Sequence, residues 1–177
     1  VRLLNQQVTV QFLRVDDELK RRRQVGLGAV ADRELLTVLF DLPVDLPVPR
    51  DTLTTRQLRL LRKAPDGAVE LPRREITRLL VPAIRVTRVE AHGLPTTARL
   101  RQVSQFGAFA ARTFVVRATP TPVTVAEAIR WGIGLKHADG RLLLAEQPFV
   151  VRRHTPATWL FHETAFAQLR RADAEFQ

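Results

Sequence analysis

The chain has 177 residues, of which 45% are hydrophobic, 26% charged and 6% aromatic, proportions that support a folded core and exclude wholesale disorder and fibrous repeats. Lysine and arginine number 28 against 18 acidic residues, a formal net charge of +10 that favours polyanionic partners. With no cysteine, disulfide frameworks, thiolate metal centres and cysteine nucleophiles are excluded, and no run approaches the roughly 20 apolar residues of a membrane span.

Residues 8–15 are rich in β-branched and aromatic side chains, with Val8, Val10 and Phe12 on one side, which predicts a strand. Asp16 and Asp17 open a charged segment in which residues 17–24 read as a short helix or a solvated turn, ended by Gly26 and Gly28. Residues 34–42 are an apolar run that suits a strand or a buried helix, and Pro43, Pro47 and Pro49 make the next stretch extended. Asp51 or Thr54 can cap a helix over 55–63, with Leu58 and Leu61 on one face and Arg56, Arg59 and Lys63 on the other. Asp66-Gly67 marks a turn. Pro72 suits the first position of a second short helix over 72–80, with Arg74 and Arg78 at i, i+4, ended by Pro82.

Residues 83–90 read as a strand closed by His92-Gly93 and Pro95, residues 96–111 as a helix weakened by Gly107, and residues 114–117 as a strand. Thr124 and Glu127 have capping-box spacing, so a helix is expected there, shortened by Gly132 and Gly134. Asp139-Gly140 then suits a hairpin into residues 141–144. A strand over 149–152 precedes a long helix from Thr155-Pro156 to about residue 174, carrying Trp159, Phe166 and Leu169, with Arg170 and Arg171 in its last turn. Strand, Thr-Pro and helix thus occur twice, but two copies in a valine-rich chain favour coincidence over duplication. The expected architecture is a single α+β domain over residues 1–177, with short mixed or antiparallel strands and an amphipathic C-terminal helix; a division near 93–96 is the weaker alternative.

Tests for catalytic chemistry come out negative. Gly26-Leu-Gly28-Ala-Val-Ala31 matches a relaxed dinucleotide fingerprint, but Lys20 to Arg23 precede it where a buried strand is required. Ser104 is the only serine and lacks a Gly-x-Ser-x-Gly elbow. His92, His137, His154 and His162 are scattered, and His162-Glu163 lacks the second histidine of a zinc protease helix. Asp66 and Glu70 lack the lysine of a nuclease triad, and residues 142–148 lack the downstream acidic cluster of a Nudix hairpin. No catalytic residue, metal ligand or cofactor is therefore assigned.

The basic features remain. The leading expectation is a small non-enzymatic nucleic-acid-binding or nucleic-acid-associated protein acting through arginine–phosphate contacts, for which the candidates are Arg21, Arg22, Arg23, Arg56, Arg59, Arg62, Arg73, Arg74 and Arg78. DNA and RNA are not distinguished. Two short basic helices over 55–80 invite comparison with helix-turn-helix, although the linker over 64–71 is longer than usual. Strands pairing Phe12 with Arg14, Phe114 with Arg117 and Phe149 with Arg152 suggest a stacking surface for single strands, against the commoner use of strand phenylalanines as core. The alternative is an interaction or assembly subunit that docks a second copy or another protein through Trp159, Phe166 and Phe176. A second alternative is an enzyme on a small acidic or phosphorylated substrate, using Glu127, Glu163 and His162. The first residues hold no apolar signal region, so a cytoplasmic location without membrane contact is expected.

Overall fold

Threonine and aspartate side chains start most of the helices. Thr54, Thr96, Thr121 and Thr155 each accept a hydrogen bond from the amide three residues on, and Asp32 does the same for Leu35. The structure, a computed structural model, describes residues 1–150 and 154–175, with side chains through residue 172. In chain order the elements are β1 (Arg2–Leu3), β2 (Gln6–Gln7), β3 (Thr9–Arg14), α1 (Asp16–Gln24), α2 (Arg33–Phe40), β4 (Pro47–Pro49), α3 (Thr55–Leu61), β5 (Val69–Glu70), β6 (Glu75–Arg78), β7 (Ile84–His92), α4 (Thr97–Ser104), β8 (Ala111–Val116), α5 (Pro122–Trp131), β9 (Gly134–His137), β10 (Leu142–Leu144) and α6 (Pro156–Glu175). Short 3-10 turns occupy Arg50–Thr52 and Gln105–Ala108. The fold is α+β, with mixed sheets.

The chain forms two compact units, Val1–Leu13 with Val86–Arg153 and Arg14–Arg85 with His154–Gln177. The first unit is built on a five-stranded sheet of order β10-β9-β8-β7-β3. β7, β8 and β9 run parallel because α4 and α5 carry the chain back between them, and the two helices pack on each other. Leu100, Val103, Phe106 and Ala128 bury against the sheet face that bears Val89, Ala91, Phe114 and Leu135. β10 returns antiparallel to β9 through the predicted turn at Asp139-Gly140.

The second unit holds α1, α2, α3, α6 and a three-stranded antiparallel sheet of order β4-β6-β5. Leu35, Leu36, Val38 and Leu39 make α2 the centre of its core, packed on α3 and α6 with Leu61, Ile76, Leu80 and Trp159 around it. The apolar run that suited either strand or helix is thus a helix, started by the Asp32 cap.

Three expectations need correction. Residues 72–80 are a hairpin turn and a strand, because Ile76 and Arg78 point inward two residues apart while β4 and β5 pair from either side. The helix placed at Thr124 starts a turn earlier, with Thr121 as its cap and Pro122 in its first turn. Phe149 and Val150 are in no strand, and the rest of that predicted strand, with Arg152, lies outside the described residues. Residues 105–108 form a 3-10 turn at the glycine that weakened the predicted helix, Gly107.

Candidate nucleic-acid interface

The nine candidate arginines all fall in the second unit, and the elements sort them. On α1, Leu19 and Arg22 share one face, so Arg22 turns inward and is 1% exposed. Its guanidinium donates bidentately to Glu163 at 2.6 and 2.8 Å, to Glu18 at 2.7 Å and to the carbonyls of Gly28 and Val81. Burial alone would lower its pKa, but the Glu163 and Glu18 carboxylates outweigh that and hold it above the ordinary arginine value. Arg21 is half-buried, donating to Glu18 and to the Gly67 carbonyl at 2.6 Å. Arg78 is buried at the end of β6, donating to the carbonyls of Leu80, Leu39 and Leu42, with its guanidinium 4.4 Å from the Trp159 ring. Arg22 and Arg78 are therefore structural, a correction to the candidate set. Their inward positions are readable afterwards from Glu18 at i−4 and from the alternation that begins at Ile76.

The other six face water, and five of them, Arg56, Arg59, Arg62, Arg73 and Arg74, lie in two neighbouring stretches of chain. Thr54 and Gln57 close a reciprocal capping box at the start of α3, Leu61 is buried, and Arg56, Arg59, Arg62 and Lys63 are exposed. The only ion pair of Arg56 among the described residues is with Glu34 at 3.2 Å, an exposed pair of small worth. The turn between β5 and β6 exposes Arg73 and Arg74. Arg50 joins the two regions: its amide donates to the Arg74 carbonyl at 2.9 Å, and four residues later the α3 cap begins. Arg50, missed in the sequence, is thus part of the same surface. Arg23 is exposed on α1.

The segment 50–78 holds eight cations against four acids, whereas the whole second unit holds 17 against 14 and the first unit 11 against four. Most of the net positive charge therefore resides in the unit that contains none of the nine candidates. On one face of its sheet Arg88 pairs with Glu146, Thr113 donates to Glu146 at 2.7 Å, and Lys136 lies 3.9 Å from Glu90, which also accepts from Gln11. Two cations meet two carboxylates there, so this network neutralises itself. Gly134 is required beside it, because a Cβ at that position would lie 2.9 Å from the Glu146 amide nitrogen.

Other candidates disperse. The glycine-bearing segment after α1 embraces the chain's own carboxylate: the Val30 amide donates to Glu163 at 2.9 Å while Gly28 accepts from Arg22. Glu163 is fully buried and also accepts from the Trp159 indole, which removes it as a free acid or base. Glu127 accepts from the Trp131 indole. Trp159 and Phe166 are 3% and 8% exposed within the second unit and so are not docking anchors, while Phe176 lies outside the described residues. Phe114 is buried under the first unit's sheet, which removes it from any stacking surface. Among the described residues no three histidine, aspartate or glutamate side chains gather as a metal site, and no helix is long and apolar enough to cross a membrane. Comparison of the chain with protein-family models, curated proteins and solved structures returns no match.

Proposed function

We propose that this protein binds double-stranded nucleic acid through α3 and the β5–β6 turn, with Arg56, Arg59, Arg62, Lys63, Arg73, Arg74 and Arg50 contacting phosphates. The observation that carries this reading is the hydrogen bond from Arg50 to Arg74, which ties an exposed basic helix to an exposed basic turn. A short helix beside a hairpin tip offers two arms to a duplex, and a B-form major groove admits such a helix. Single-strand stacking is disfavoured because α3 and the turn carry no aromatic side chain.

Protein freed of co-purified nucleic acid is titrated with labelled duplex DNA, duplex RNA and single-stranded DNA across a range of salt. Six or so phosphate contacts give a log–log salt slope of about −5 on duplex DNA. Substituting Arg56, Arg59 and Arg62 by alanine is expected to reduce that slope by about 3, and Arg73→Ala with Arg74→Ala by about 2. Absence of duplex binding at physiological salt, or unchanged slopes in both variants, overturns the proposal.

A further inference from the structure

A cavity of about 220 Å³ lies wholly within the second unit, beside the first turns of α6. Phe40 and Trp159 supply aromatic walls, and the charged or ionisable groups lining it are Arg78, Arg85, His154 and His162, with no carboxylate among its described lining residues. Arg78 is nine-tenths buried, and no carboxylate oxygen lies within ion-pair distance of it among the described residues. Its three carbonyl partners solvate the guanidinium but leave its unit charge in place. The N-terminal end of the 20-residue α6 adds positive potential from the same side. Asp45 acts on Arg78 from beyond ion-pair distance and does not line the cavity, so the ionisable groups at its walls are all basic, and walls of low polarisability strengthen their field.

We propose that the cavity binds a small planar organic anion, a single-ring aromatic carboxylate or phosphate, with its ring against Trp159 and Phe40 and its anionic group toward Arg85 and His154. The volume falls below the roughly 300 Å³ at which drug-sized pockets begin, so one ring with its acid fits and a dinucleotide does not. Arg85 and His154 are exposed at the rim, where an incoming anion meets them first, while Arg78 and His162 form the buried wall. The proposal stands apart from nucleic-acid binding, since it uses none of the exposed arginines of α3 or the β5–β6 turn.

The test uses benzoate and phenyl phosphate as probes, with benzamide as the uncharged isostere and inorganic phosphate as the ringless anion. Trp131→Phe leaves Trp159 as the only tryptophan, so its fluorescence reports the cavity, and calorimetry on the unsubstituted protein repeats the measurement without relying on that variant. Expected is saturable binding of benzoate or phenyl phosphate, about tenfold weaker for benzamide and for inorganic phosphate, and about tenfold weakened by Arg85→Gln, whose exposed position spares the fold. Stronger binding of one probe identifies carboxylate or phosphate as the recognised group. No saturation by either aromatic anion up to roughly 10 mM, equal binding of benzamide, or undiminished binding in both Arg85→Gln and His154→Gln overturns the proposal.

Discussion

Arg22 and Arg74 look alike in sequence, each an arginine beside another arginine, yet one is sealed among two carboxylates and the other projects into water. The difference lies in the backbone beneath them: a helix that places Arg22 beside Leu19, and a turn that places Arg74 past the end of a ladder. That is why the candidate surface was only partly legible. Arg56, Arg59 and Arg62 follow from helical periodicity alone, whereas the inward fate of Arg22 depends on Glu163, 141 residues away. His162 has a measurable signature at this scale. Burial first, then the nearby charges of His154 and Arg85, push its pKa from 6.5 down to about 4. The unfolded chain therefore binds more protons between those values, so the stabilisation is complete above pH 6.5 and is lost as pH falls toward 4. Denaturant titrations are expected to show about 2 kcal/mol less stability at pH 5 than at pH 7, a difference that His162→Gln largely removes.

Among the elements, two helices begin with the same four-residue pattern, Thr121-Pro-Val-Thr124 and Thr155-Pro-Ala-Thr158, and in both the first threonine caps the amide of the second. In α5 the capping-box spacing of Thr124 and Glu127 pointed one turn too far along, because Pro122 fits the first turn and Glu127 turns to Trp131 instead. Thr121→Ala is therefore expected to cost about 1 kcal/mol in denaturant unfolding, and Thr124→Ala clearly less. The C-terminal end of α5 was better marked, since Gly132 takes a left-handed conformation at φ 62°. Local signals of this kind, caps, glycines and the Asp139-Gly140 turn, carried the helices and the β9–β10 hairpin. They failed at residues 72–80, where Pro72 and the i, i+4 arginines imitate a helix start. There the decisive fact is pairing with β4 and β5 from distant sequence, which no local window contains. The helix-turn-helix comparison falls with that second helix, leaving a helix and a hairpin turn in its place.

At the scale of the whole molecule, charge and connectivity are both divided in ways composition conceals. The +10 balance is concentrated in the first unit, so salt dependence that persists after Arg56, Arg59, Arg62, Arg73 and Arg74 are all substituted measures what that unit contributes. Each unit is also assembled from two separate stretches, the chain alternating between them at residues 13–14, 85–86 and 153–154. A chain truncated before His154 lacks Trp159 from the second unit's core and Glu163 from its buried ion network. Its α1 and α2 amides are expected to lose their protection from hydrogen exchange, which mass spectrometry reads directly. The ion pair between Arg22 and Glu163 sets a schedule for synthesis as well. Arg22 leaves the ribosome 141 residues before Glu163, and at roughly 5 to 20 residues per second the nascent segment waits many seconds with Glu18 as the one carboxylate of the pair yet made. During that interval the surfaces of α1 and α2 that will later be covered stand open, which makes them the stretch a chaperone would meet on the growing chain.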